Sequence, residues 1–139
     1  MNLAIIPARS GSKRIINKNI KIFEGKPIIC YSILAAKSSG IFDKIVVSTD
    51  SKKIASISKK YGADVPFLRS KKLSKDKIGI IEVISQTLKK LEIKPNLSIK
   101  VCCIYPTAPM LKKEFLKRGY KKLTKNYDYV LSVKKEDSR

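Results

Sequence analysis

Residues 3–19, LAIIPARSGSKRIINKN, constrain the fold more than any other stretch of the chain. Four apolar residues, Leu3 to Ile6, stop at Pro7 and open into a loop holding Arg9, Gly11, Ser12, Lys13, Arg14, Lys18 and Asn19. The apolar run reads as a buried strand of an α/β sheet. Small and cationic residues directly after such a strand form a phosphate-binding arrangement. Glycine lets the backbone approach, N–H and hydroxyl groups donate, and cations neutralise charge. The spacing matches neither GxxxxGK[ST] nor GxGxxG, because Gly11 stands alone.

The remaining chain alternates strand-like and helix-like stretches. A turn at Phe23-Glu24-Gly25-Lys26 precedes a helix over 28–38, opened by Pro27 and closed by Gly40. Ile45-Val46-Val47 reads as a short buried strand ending at Ser48-Thr49-Asp50, where Asp50 is placed to cap the next helix or to lie close to a metal, the cap being the favoured reading. That helix places Ile54, Ile57, Ser58 and Tyr61 on one side, lysines on the other, and Gly62 at its end. Further on, the pattern predicts a strand over Val65–Leu68 and a helix with Ile81, Ile84, Leu88 and Leu91 as its apolar stripe. It then predicts a strand over Ile99–Tyr105, a helix carrying Phe115, Leu116, Tyr120 and Leu123, and a last strand over Tyr129–Val133.

This rhythm implies a Rossmann-like α/β three-layer sandwich, with a mainly parallel sheet and right-handed crossovers. Ligands of such sheets bind beyond the carboxyl ends of the strands. The first loop, Ser48-Thr49-Asp50, the loop from Arg69 to Asp76, and Tyr105 to Pro109 all follow strands, so they can converge on one sheet edge.

Composition narrows the function. The 139 residues are enough for one core, and no apolar run approaches the ~18 residues of a membrane span. The net charge of +20 would suit a nucleic-acid binder, but only five residues are arginine and the lysines lie between apolar positions of amphipathic segments. That distribution favours solvated helix faces over a nucleic-acid surface, while still attracting anions such as a nucleoside triphosphate. Cys30, Cys102 and Cys103 are odd in number and two are adjacent, which argues for reduced core thiols and a cytoplasmic protein. Histidine is absent, which removes Ser–His–Asp and Cys–His catalysis, and with no C-x-x-C present a zinc site has no support.

IIPARSGSKRIINKN followed by FEGKPIICYSI resembles the start of the acylneuraminate cytidylyltransferases, a branch of the sugar-activating nucleotidyltransferases. IVVSTD (45–50), YGADVPFLR (61–69), LSKD (73–76) and CCIYPTAP (102–109) match in order, and the last most resembles the pseudaminic acid branch. The resemblance implies a nucleotide-diphospho-sugar transferase fold. It also implies transfer of CMP from CTP to a nonulosonic acid, of pseudaminic or sialic type, with release of pyrophosphate for cell-surface glycan synthesis. By the same match, Arg9, Gly11, Ser12 and Lys13 cradle the triphosphate, and Lys18 stabilises charge on the reacting phosphate. Asn19 helps hold the nucleotide, Arg69 lines its pocket, and Asp76 occupies an acidic position of the following loop. Tyr105 and Thr107 are placed to reach sugar or base.

The family extends well past the point matching Arg139, so 1–139 reads as a single, incomplete nucleotidyltransferase domain whose C-terminal part is missing. The resemblance assigns Mg²⁺ as cofactor, with carboxylate ligands beyond the chain end, and a homodimer to a full-length form. Two departures stand out: Ile15-Ile16-Asn17 where relatives usually carry a proline, and Lys77-Ile78-Gly79-Ile80 where they carry small hydroxyl residues. A non-catalytic nucleotide- or anion-binding remnant of the family is the main alternative reading, and a basic nucleic-acid-binding domain is a weaker one.

Overall fold

A computed structural model describes residues 1–70, 78–94, 96, 98–123 and 127–133. Strand β1 (Asn2–Pro7) is the centre of a parallel sheet of order β4-β1-β5, with β4 spanning Lys44–Ser48 and β5 spanning Lys100–Cys103. Leu3 through Ile6 are fully buried because β1 is covered on both faces. Its side chains alternate, as the two-residue period of a strand requires. Ala4, Ile6 and Ala8 join Val47, Ile33 and Ile54 in one core cluster. Leu3 and Ile5 join Val46 in the other.

The first cluster lies under α1 (Ile28–Ser39) and α2 (Lys52–Lys60), with Leu116 of α4 (Lys113–Lys122) packed against it. The second is covered by α3 (Ile80–Lys90) through Ile84 and Leu88. A two-stranded hairpin, β2 (Ile22–Phe23) with β3 (Lys26–Pro27), precedes α1. Its two turn residues, Glu24 and Gly25, both have positive φ (43° and 77°), the backbone that a tight hairpin demands. Gly40 ends α1 in the left-handed region at φ 66°, where glycine carries no Cβ penalty.

Three expectations change. Val65–Leu68 does not form a strand. Residues 64–69 run beside β4, but the pairing is limited to isolated bridges at Val46–Asp64 and Thr49–Leu68. Pro66 between them has no N–H to give to a ladder. Tyr129–Val133 forms no ladder with any of the described residues either, and Tyr129, Leu131 and Val133 are at least 80% exposed. Apolar alternation supplies a tendency, whereas a strand needs a neighbour with free backbone groups.

In α3 the buried face is centred on Val83 and Thr87, while Ile81 is 78% exposed. At ~100° per residue, Ile81 falls about 140° from the centre of that face, close to the opposite side of the helix. Val83→Ala should therefore cost about 2 kcal/mol of unfolding free energy, and Ile81→Ala less than about 0.5 kcal/mol. Urea denaturation of the two variants reads the difference, and equal costs would contradict this packing.

Candidate functional site

The loop that leaves β1 is pinned at three points. The Ala8 N–H donates to Ser48 O at 2.9 Å, extending the β1–β4 pairing past the strand. The Ser10 N–H and hydroxyl both donate to the Asp50 carboxylate, at 2.8 and 2.9 Å to its two oxygens. Asn19 Nδ2 donates to Arg9 O at 2.8 Å, from a 3₁₀ turn at Lys18–Ile20. Asn17, left-handed at φ 55°, leads into that turn.

Asp50 is not the helix cap that its position suggests. Ser51 caps α2, its hydroxyl accepting the Ile54 N–H at 3.3 Å. With the first turn of the helix served by that neighbour, the Asp50 carboxylate crosses to the β1 loop instead.

Arg69 enters from the segment beside β4, where its main-chain N–H donates to Thr49 O at 2.7 Å. The side chain is only 8% exposed, and its Nε and Nη2 are buried without a hydrogen-bond partner among the described residues. Burial pushes the guanidinium pKa down, the Asp50 carboxylate partly offsets this, and the like charge of Arg9 adds to the depression. Asn19 Oδ1 is also buried and unpartnered. Leaving such groups unsatisfied costs on the order of 1–3 kcal/mol each, so the protein retains this cost in the free state.

These residues meet in an open cleft of about 200 Å³ at the carboxyl ends of the strands. Its polar lining is Arg9, Ser12, Lys18, Asn19 and Arg69, with Tyr105 and Thr107 from the loop after β5. Pro7, Ile78, Ile80 and Val83 supply apolar surface. Ser32, buried in α1, donates its hydroxyl to Tyr105 O at 2.7 Å and so anchors that loop from below. A larger hollow of about 360 Å³, near Lys44, Lys59 and Asp64, has none of the buried unpaired polar atoms among its lining residues.

Seven of the ten residues singled out in the sequence thus line one cleft: Arg9, Ser12, Lys18, Asn19, Arg69, Tyr105 and Thr107. Gly11 and Lys13 lie on the same loop but are not among the lining residues. A Cβ on Gly11 would meet nothing within 4 Å and its φ is not left-handed, so the free fold does not itself require glycine there. Asp76 lies outside the described residues. Sequence reading missed the apolar wall of Ile78, Ile80 and Val83, although an isoleucine pair opening a helix after a polar loop was a visible signal.

Chemically, the cleft can take a polyanion that supplies acceptors to the Arg69 donors, together with a group that donates to Asn19 Oδ1. The divalent ion implied by the resemblance finds no ligand set here. The described residues contain no group of three His, Cys, Asp or Glu, and both Asp50 oxygens are engaged by Ser10.

A cationic cleft at the strand ends of a parallel sheet is the arrangement of an α/β protein that binds an anionic ligand. The cytidylyltransferase family model matches residues 3–139, and the chain belongs to that family. It is 47% identical over 130 residues to the pseudaminic acid cytidylyltransferase of Campylobacter jejuni, covering 94% of this chain and 56% of that protein. It is 43% identical over 117 residues to the CMP-N,N'-diacetyllegionaminic acid synthase of Legionella pneumophila, covering 84% of this chain and 50% of the relative. The chain thus spans about half the length of these relatives. Among solved structures, CMP:2-keto-3-deoxy-manno-octonic acid synthetase complexed with CTP superposes with a TM-score of 0.71 at 18% identity. The match covers 86% of this chain and 46% of that one, and shows the shared fold.

Two guanidinium nitrogens of Arg69 are buried with no partner among the described residues. Arg69→Met keeps the bulk and removes the buried charge, so the ligand-free chain should gain about 1 kcal/mol of stability. CTP should raise the melting temperature of the wild type and leave that of this variant unchanged. Thermal denaturation with and without CTP reads both effects, and a destabilised variant that still responds to CTP would contradict this account.

Proposed function

We propose that this chain forms the CTP-binding half of an enzyme that transfers CMP from CTP to a nonulosonic acid, pseudaminic acid first among them, with release of pyrophosphate. The observation that carries this reading is the convergence of Arg9, Lys18, Asn19 and a buried, partly unpaired Arg69 in one cleft at the strand ends. The match to the pseudaminic acid cytidylyltransferase supports the choice of sugar.

The sugar hydroxyl attacks the α-phosphorus in line, and negative charge builds on the bridging and leaving oxygens. Fixed donors and cations lower that barrier without any covalent intermediate. Arg9 and Lys18 neutralise the charge on the reacting and leaving phosphates. Gly11, Ser12 and Lys13 bring backbone N–H groups and a further cation to the same phosphate chain, and Asn19 and Arg69 hold the nucleotide. Asp76 belongs to the same nucleotide-binding set by its match to the family. Tyr105 and Thr107 face the sugar side. The reading places the reaction in the cytoplasm, which agrees with three unpaired thiols, Cys30, Cys102 and Cys103. A homodimer belongs to the full-length form.

Incubating the protein as its gene encodes it with CTP, Mg²⁺ and pseudaminic acid should release pyrophosphate in step with CMP-sugar. Lys18→Ala should lower the rate at least ~100-fold, the scale seen when one charge-stabilising donor is removed. CTP binding with no pyrophosphate from pseudaminic, legionaminic or sialic acid would overturn the transfer reaction and favour a non-catalytic binder.

A further inference from the structure

We propose that Asp50 is a positioning residue of the polyphosphate subsite, fixing the Arg9–Ser12 loop through Ser10 rather than ligating a cation. The inference rests on the reading of the cleft as a nucleotide site. Both carboxylate oxygens are already committed, one to the Ser10 N–H at 2.8 Å and the other to the Ser10 hydroxyl at 2.9 Å. Asn19 holds the preceding residue through Arg9 O, and Asp50 holds Ser10 itself. Gly11 adopts no left-handed backbone and has open space around its Cα, and the Ser12 N–H to Ser10 O contact at 2.9 Å is purely local. Asp50, two residues past the end of β4, therefore couples the loop to the sheet.

Its charge makes the assignment testable by sign. Asp50 lies close enough to Arg69 to perturb it, in a cleft that also holds Arg9 and Lys18. By Coulomb's law alone, a carboxylate among these cations weakens anion binding, so deleting it should strengthen binding. A residue that orders the donors of the loop has the opposite effect, because a released loop must be re-ordered by the ligand. A cation ligand would show its effect only when the cation is present.

The experiment titrates inorganic tripolyphosphate and CTP by calorimetry, in EDTA and in Mg²⁺, into wild type, Asp50→Ala, Asp50→Asn and Ser10→Ala. Asp50→Ala should bind both probes about tenfold more weakly in both buffers, the scale of a lost charge-assisted hydrogen bond. Asp50→Asn, whose amide oxygen still accepts the Ser10 N–H, should stay within about threefold of wild type, and Ser10→Ala should fall between the two. In the unliganded protein, amide exchange at residues 10–12 should speed up about tenfold in Asp50→Ala and little in Asp50→Asn.

Unchanged or tighter binding by Asp50→Ala, a loss confined to Mg²⁺ buffer, or unchanged exchange would each overturn the proposal. If Asp50→Ala does not fold, Ser10→Ala decides. A loss of about threefold in both buffers is then expected, and wild-type affinity overturns the proposal. A wild-type chain that binds tripolyphosphate without preferring CTP contradicts the nucleotide reading alone, leaving the role of Asp50 to be read on tripolyphosphate. Binding of neither probe overturns both.

Discussion

The cleft depends on the parallel pairing of β1 with β4 and on what the chain does at the end of that pairing. The ladder runs from Leu3–Lys44 to Pro7–Ser48. At its end, three consecutive residues hold two segments of the cleft, the loop after β1 and the segment carrying Arg69. Ser48 O accepts from Ala8, Thr49 O accepts from Arg69, and the Asp50 carboxylate accepts from Ser10. Ser48 is also tied to α3, where its hydroxyl lies 3.2 Å from that of Thr87, both fully buried. Because these contacts originate from a buried, doubly covered strand, the loops inherit the stiffness of the sheet. Positioned donors contribute more to charge stabilisation than mobile ones, since no reorganisation is needed when charge develops.

The second constraint is electrostatic. Placing Arg69 in the interior with two donor nitrogens unpaired, near the like charge of Arg9, is unfavourable in the free protein. Asp50 offsets part of this charge while both its oxygens bind Ser10. A fold that keeps such a group at the mouth of a cleft trades stability for affinity, a pattern expected at sites and not in cores. The +20 net charge acts at longer range, drawing polyanions toward the molecule, while the identity of the bound anion is set inside the cleft.

How much of this was legible in the sequence depended on range. The β1 strand, the α1 and α2 helices and the Gly40 stop are local patterns, and periodicity and capping chemistry located them. The phosphate-type loop was legible because its cations follow the apolar run directly, and seven of the residues named from sequence do share one cleft. What was not legible depends on distant partners. Nothing near Asp50 signals that its carboxylate serves Ser10, forty residues earlier, once Ser51 takes over the cap. The absent strands fail for comparable reasons: Pro66 lacks a donor, and Tyr129–Val133 lacks a neighbour among the described residues. The exposure of Ile81 follows from where the α3 face is centred, which only the packing of Val83 and Thr87 against the sheet decides.

The end of β4 holds the loop after β1 and the Arg69 segment as a ready-made anion cleft. In backbone and arginine side-chain NMR of the chain titrated with CTP, shifts should concentrate at Arg9, Ser12, Asn19 and the Arg69 Nε–H, with the amides of 46–49 nearly unmoved. Shifts gathered instead around Lys44, Lys59 and Asp64, or spread through β4 with the Arg69 Nε–H unaffected, would contradict it.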